Sequence, residues 1–246
     1  MNRIYVVTHK KVKKKLPKLY KYIQVGKSFS NKDYGYLSDD TGDNIALKNK
    51  NYCELTALYW IWKNVIDVDV VGICHYRRFF TKNYYSNSAL SFITSRDIDK
   101  ILKEYDVIVP QKEDWKEYTV REYYSKCNGF DKDINTTRDG ILKLFPDYIQ
   151  SFDFVMSSHK AFYFNMFILK KELFDSYCEW LFAILNYVEE HTDISNYSKQ
   201  EARIFGYISE ILLNVWIEKN KLKYKEFKVV NVETSIFWKL KKLINK

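Results

Sequence analysis

Between residues 44 and 65 the apolar side chains Leu47, Leu55, Leu58, Tyr59, Ile61, Trp62 and Val65 recur at steps of three and four, which predicts an amphipathic helix. Residues 68–74 follow as a β-branched run with one glycine, the pattern of a buried strand. Similar short apolar runs at residues 4–8, 106–110 and 163–169 predict three more strands. Helical spacing covers residues 95–103, 115–128, 131–145, 172–190 and 198–219. The basic stretch 10–21, with Leu16, Leu19 and Tyr20 to one side, reads as a surface helix or a membrane-facing edge. Strands alternating with helices predict an α/β fold with a mixed, mostly parallel central sheet flanked by helices. No repeat or linker divides the chain, so residues 1–234 read as a single domain. Residues 235–246, SIFWKLKKLINK, read as a short basic amphipathic helix of the kind that lies in a membrane surface.

Composition narrows this picture. The 246 residues are 46% hydrophobic with only 7 Gly and 3 Pro, which excludes a disordered or linker-like chain. The 21 Tyr and 16 Phe exceed what a core of this size needs, so some are expected to line a cleft. A net charge of +9 favours anionic partners: a nucleotide, nucleic acid or an anionic membrane. The 4 Cys include no CxxC pair, so neither a zinc site nor a disulfide framework is indicated. No run is long and apolar enough to span a bilayer, and the chain opens directly into a strand, so a cytoplasmic protein is expected.

Candidate chemistry sits where apolar runs stop. The strand ending at Cys74 meets His75, Tyr76, Arg77 and Arg78, and two guanidiniums are poor core material without anionic partners. In open α/β sheets ligands bind outside the carboxyl ends of strands, so this segment is read as part of a site for a phosphate or diphosphate. Thr8, His9 and Lys10 end the first strand in the same way. Between them lies a polar loop, Ser38-Asp39-Asp40-Thr41-Gly42-Asp43-Asn44. Asp43 or Asn44 suits a helix cap, whereas Asp39 and Asp40 suit either ribose hydroxyls or a metal ion.

Several segments in order, THKK, DDTGDNIALKNKNYCELTALYWIWKN, VVGICHYRRFF, NMFILKK with YCEWLF, and RIFGYISE, resemble a bacterial family of capsular and exopolysaccharide biosynthesis glycosyltransferases. That family was long filed as a domain of unknown function, and some members are assigned as galactofuranosyltransferases. The resemblance spans about residues 3–233 and implies a GT-A-like fold, a UDP-sugar donor and a growing, lipid-linked glycan acceptor. Thr8, His9, Lys10, His75, Tyr76, Arg77 and Arg78, clustered at two strand ends, with Asp40 and Asn44 of the polar loop, are expected around that donor. GT-A enzymes end a strand in an Asp-x-Asp pair that holds a metal on the diphosphate, whereas this chain carries HYRR there. Arginines neutralise a diphosphate directly, so no metal or other cofactor is expected. Mn²⁺ or Mg²⁺ at Asp39 and Asp40 is the other arrangement the residues allow. An inverting transfer also needs a base, for which Glu210 and Asp43 are the candidates, and Asn165 and Arg203 are expected to hold acceptor or donor sugar hydroxyls. Lipid-linked acceptors add contact with the anionic inner face of the membrane.

Two other classes fit parts of the pattern. A nucleic-acid-binding module would use the charge and the tyrosines, yet the lysines are dispersed and no recognition element is visible, so nucleic acid is not an expected partner. A phosphate-ester or nucleotide hydrolase would use HYRR as a clamp but lacks a Gly-rich phosphate loop or a CxxxxxR nucleophile.

Overall fold

The computed structural model describes residues 1–235. Its strands are β1 (Asn2–Thr8), β2 (Tyr20–Gln24), β3 (Leu37–Ser38), β4 (Val70–His75), β5 (Arg78–Phe80), β6 (Val107–Pro110), β7 (Glu113–Asp114), β8 (Lys160–Ala161), β9 (Phe167–Lys170), β10 (Tyr224–Phe227) and β11 (Val229–Asn231). Its α-helices are α1 (Asn49–Tyr52), α2 (Leu55–Asn64), α3 (Ser95–Ile101), α4 (Val120–Cys127), α5 (Asp131–Leu144), α6 (Ile149–Ser157), α7 (Lys171–His191) and α8 (Ile204–Lys219).

The main sheet runs β10-β6-β9-β4-β1-β2-β3. Strands β3, β2, β1 and β4 are mutually parallel, β9 is antiparallel to both neighbours, and β6 pairs parallel with β10. This is the mixed, mostly parallel sheet that the alternating pattern predicts. Successive side chains of a strand point to opposite faces, and the core divides accordingly. Tyr5, Val7, Val71, Ile73, Phe167 and Leu169 meet α2, α7 and α8 on one face. Ile4, Val6, Val70, Cys74 and Ile168 meet Phe79, Phe80, Phe92 and Ile98 on the other. Gly72 lies where the sheet is tightest: a Cβ there would stand 2.9 Å from Ile4 Cγ1 and 3.1 Å from Ile168 Cγ1.

Five local differences from the sequence pattern matter for the site. First, the helix expected at 44–65 is interrupted: α1 ends at Cys53, whose φ of 53° breaks the helical path before α2 resumes. Second, residues 10–21 form no helix, because Pro17 lacks an N–H and holds Leu16 away from helical angles. Third, His75 closes β4 and Arg78 opens β5, so HYRR is a hairpin with Tyr76-Arg77 at its tip. Fourth, residues 163–166 are not strand: Phe164 and Asn165 have φ of 78° and 49°, and β9 begins at Phe167. Fifth, β10 and β11 were not expected; β11 pairs antiparallel with β5, placing Asn231 against Arg78. The amphipathic segment read at 235–246 lies, apart from Ser235, outside the described residues.

Candidate active site

Strands β1 and β4 end side by side, and Thr8, His9 and the HYRR hairpin open onto a cleft of about 800 Å³. Its opposite wall is built by the Cys53-Glu54 corner before α2 and by Arg203, Tyr207 and Glu210 of the α8 region. Positions 203, 207 and 210 come round to one side of the helix, as their steps of four and three require. A second cleft of about 870 Å³ lies beside the other ends of β1 and β4, near Met1 and Val68, and carries a single acid, Asp67. Carboxyl-edge position and chemistry both favour the first.

Cations line both walls: Arg77 and Arg78 on the hairpin and Arg203 opposite, with Lys50 and Lys199 also in the lining. Among the described residues neither Arg77 nor Arg78 enters an ion pair. Arg78 lies over the Phe164 ring at 4.3 Å, and Arg77 stands 5.8 Å from the Tyr76 ring. Burial and the neighbouring Arg77 lower the pKa of Arg78, while Glu210 and Glu54 oppose that shift. Arg203 donates through Nε to Cys53 Sγ at 3.1 Å. The strained Cys53 corner thereby orients a guanidinium into the cleft. His75 donates through Nε2 to the Phe164 carbonyl, which leaves Nδ1 bare, and burial lowers its pKa so that the ring is neutral at pH 7. His9 packs edge-on against Tyr76 at 5.3 Å, and burial, Lys10 and Arg77 lower its pKa as well.

Two carboxylates face these cations. Glu54 Oε1 accepts from Asn165 Nδ2 at 2.7 Å, and the same amide nitrogen donates to the Gly206 carbonyl at 3.0 Å. Ser209 Oγ donates to Asn165 Oδ1 at 2.9 Å. One left-handed asparagine thus ties the corner before α2, the start of α8 and the entry to β9. Glu210 Oε1 accepts from the Phe164 amide at 2.9 Å, and its other oxygen has no hydrogen bond among the described residues. Burial, then the nearby Glu54 charge, pushes the Glu210 carboxyl up to about 8, with the Phe164 amide, Arg78 and Arg203 acting against the shift. A half-buried acid poised near neutral pH, with one oxygen free, is suited to general acid–base work.

The sequence-expected residues separate into those the structure assembles and those it does not. Thr8, His9, His75, Tyr76, Arg77, Arg78, Arg203 and Glu210 all line the cleft. Lys10 stands at the rim, paired with Glu233 at 2.9 Å and 4.4 Å from the Tyr76 ring. Asn165 supports the wall from behind and is buried, so it reaches a ligand only through Glu54. Asp40 accepts from Ser38 at 2.5 Å, and Asn44 closes a local turn through Ala46 N and the Gly42 carbonyl. Asp43 sits at the far end of α2, bonded to Asn64 and Tyr59. None of these three lines the cleft, because the break at Cys53 leaves the preceding loop alongside α2 and not at its entrance. Asp39 is fully buried, accepting from Thr56 at 2.6 Å and Gly26 N at 3.2 Å, and its pKa is raised mainly by burial. Among the described residues no group of three His, Cys, Asp or Glu is arranged to hold a metal ion. Missed by the sequence reading were Cys53, Phe164, Lys50 and Lys199; the NYC turn before ELTALYW and the aromatic FYFN run offered no periodic signal for the first two.

Fold and cleft together define an α/β domain with a cation-lined cleft and two apposed carboxylates at the carboxyl edge of its sheet. The chain belongs to the family described as a domain of unknown function, DUF4422, whose pattern matches residues 3–221. It is also similar to a solved structure named as the WbbM bifunctional glycosyltransferase in its apo form, with 31% identity, 95% of this chain covered and a TM-score of 0.86. The chain spans 45% of that protein's length. No curated protein matches it. Among the described residues no helix is long and apolar enough to cross a membrane.

Proposed function

We propose that this domain is a glycosyltransferase with a GT-A-like fold that moves a sugar from a UDP-sugar to a growing, lipid-linked capsular or exopolysaccharide acceptor. Galactofuranose is the candidate sugar. The observation that carries the reading is the pairing, across one cleft, of unneutralised Arg77 and Arg78 with the perturbed carboxylate of Glu210. The similarity to a bifunctional glycosyltransferase supports it. Arg77 and Arg78 hold the donor diphosphate, and Lys50, Lys199 and Arg203 add positive charge to the cleft. Charge-assisted bonds to the leaving nucleoside diphosphate strengthen as negative charge develops on it. Glu210, held by the Phe164 amide, takes the proton from the acceptor hydroxyl through its free oxygen. Glu54 keeps the Glu210 pKa high and is itself fixed by Asn165.

HYRR stands where GT-A enzymes carry an Asp-x-Asp pair, so transfer is proposed to be independent of Mn²⁺ or Mg²⁺. UDP is expected to bind in EDTA, with calorimetric affinity falling about 10- to 100-fold in Arg78→Ala or Arg77→Ala, the scale of one charge-assisted bond. Unchanged affinity in both variants would overturn the site. Activity lost in EDTA and restored by Mn²⁺ would overturn metal independence.

The basic tail read at 235–246 supplies the proposed contact with anionic lipid on the inner face of the membrane. Four lysines at about 1 kcal/mol each give weak, salt-sensitive attachment. Vesicles rich in phosphatidylglycerol are expected to sediment the full chain and not a chain ending at Thr234. Equal sedimentation of both would remove the tail from this role.

A further inference from the structure

Beyond Glu210 the cleft opens into a side pocket of about 290 Å³, near the lower bound for ligand sites. Phe164, Tyr207 and Glu210 belong to both cavities and form the partition between them. The two differ sharply in charge. Lysines and arginines line the large cleft, whereas no Lys, Arg or His lines the side pocket, whose ionisable acids are Glu113 and Glu210. An anion belongs on one side of Glu210 and an uncharged molecule on the other.

The walls of the side pocket are flat and rigid. Trp115 and Tyr123 stack at 3.8 Å, and Tyr163 stands edge-on to both at 5.7 and 5.9 Å. The capping box of α4, in which Thr119 and Glu122 satisfy each other's backbone amides, fixes Tyr123 one residue later. Tyr163 is 7% exposed. The Trp115 indole N–H lies beside its hydroxyl, yet neither atom makes a hydrogen bond of regular geometry. An indole only donates, so the Tyr163 proton has no acceptor among the described residues. Buried hydroxyls normally have one, and Tyr163 is among the residues lining the pocket.

Aromatic faces with a few polar tips suit a sugar ring, whose C–H faces are apolar and whose rim carries hydroxyls. We propose that the side pocket receives the terminal residue of an uncharged saccharide acceptor. Its reactive hydroxyl then points at Glu210 and through the partition toward the donor. The assignment rests on the glycosyltransferase reading but is tested apart from it.

Saturation-transfer NMR on the full chain with UDP present would use methyl β-galactoside, methyl β-glucoside and methyl β-N-acetylglucosaminide as probes. At least one is expected to take up saturation from the wild type. Tyr123→Ala should abolish that signal, and Tyr163→Phe, which removes only the hydroxyl, should weaken binding about three- to tenfold while preserving the fold. UDP affinity should stay at the wild-type level in both variants. No glycoside signal in the wild type, an unchanged signal in Tyr163→Phe, or a parallel loss of UDP affinity would overturn the proposal. Glycoside binding that behaves as expected in a protein that fails to bind UDP would uphold the pocket and overturn the transferase reading.

Discussion

Glu210→Gln is expected to lower sugar transfer by about 10²- to 10⁴-fold, the usual contribution of a positioned base, while UDP binding persists. The side chain keeps its shape and its bond from the Phe164 amide but can no longer accept a proton. Wild-type kcat/KM is expected to rise with pH and level off above about 8, where the Glu210 carboxyl is ionised. Stability moves the other way. Between the ordinary carboxyl value of 4.5 and about 8, the folded chain holds a proton that the unfolded chain has released. This contribution is complete below 4.5 and is lost as pH rises through about 8. The Gln variant cannot ionise, so its melting temperature at pH 9 should exceed that of the wild type, with little difference at pH 4. A pH–rate profile with the same inflection in both proteins would assign the base to another group.

Asn165→Ala is expected to be strongly destabilising. The amide makes three buried hydrogen bonds, to Glu54, Gly206 and Ser209, and its loss leaves the Glu54 carboxylate unmatched. At about 1 kcal/mol per bond and more for the charged partner, the cost is about 3–4 kcal/mol. For a domain of this length that corresponds to a fall of about 6–16 °C in melting temperature. Asn also tolerates the left-handed φ of 49° better than most residues, so Asn165→Val should cost more than Asn165→Ala. The calorimetric melting point decides; a fall under about 2 °C in Asn165→Ala would mean the network contributes little.

The strands with dense β-branched cores, β1, β4 and β6, were legible because burial on both faces leaves an uninterrupted apolar run. The C-terminal pair was not: YKEF in β10 is mostly exposed, and VVN in β11 is three residues long. Their partners, β6 and β5, lie more than a hundred residues away, and no local pattern encodes such pairing. The place of HYRR at a strand end facing a cleft was legible, since guanidiniums are poor core material, but its pairing with the distant β11 was not. Asn165 was misread for a related reason. The run YFNMFIL has strand composition throughout, and only the amide's tertiary bonds hold its first part in a left-handed turn. Arg203, Tyr207 and Glu210 were found because helical spacing alone sets them on one side of α8. Asp43 was lost to the cleft because the kink at Cys53, invisible in the apolar spacing, redirects the loop before it.

The C-terminal strand closes over the arginine turn. Val232 donates its amide to the Arg77 carbonyl at 2.8 Å, and Lys10, just after β1, pairs with Glu233, just after β11. The described chain ends only a few residues later. A displacement of residues 231–233 is therefore transmitted through main-chain hydrogen bonds into the Tyr76-Arg77 turn. On the proposed reading, the register of β11 against β5 and the affinity for the donor are mechanically joined, so a change at residues 231–233 is felt at the arginine turn.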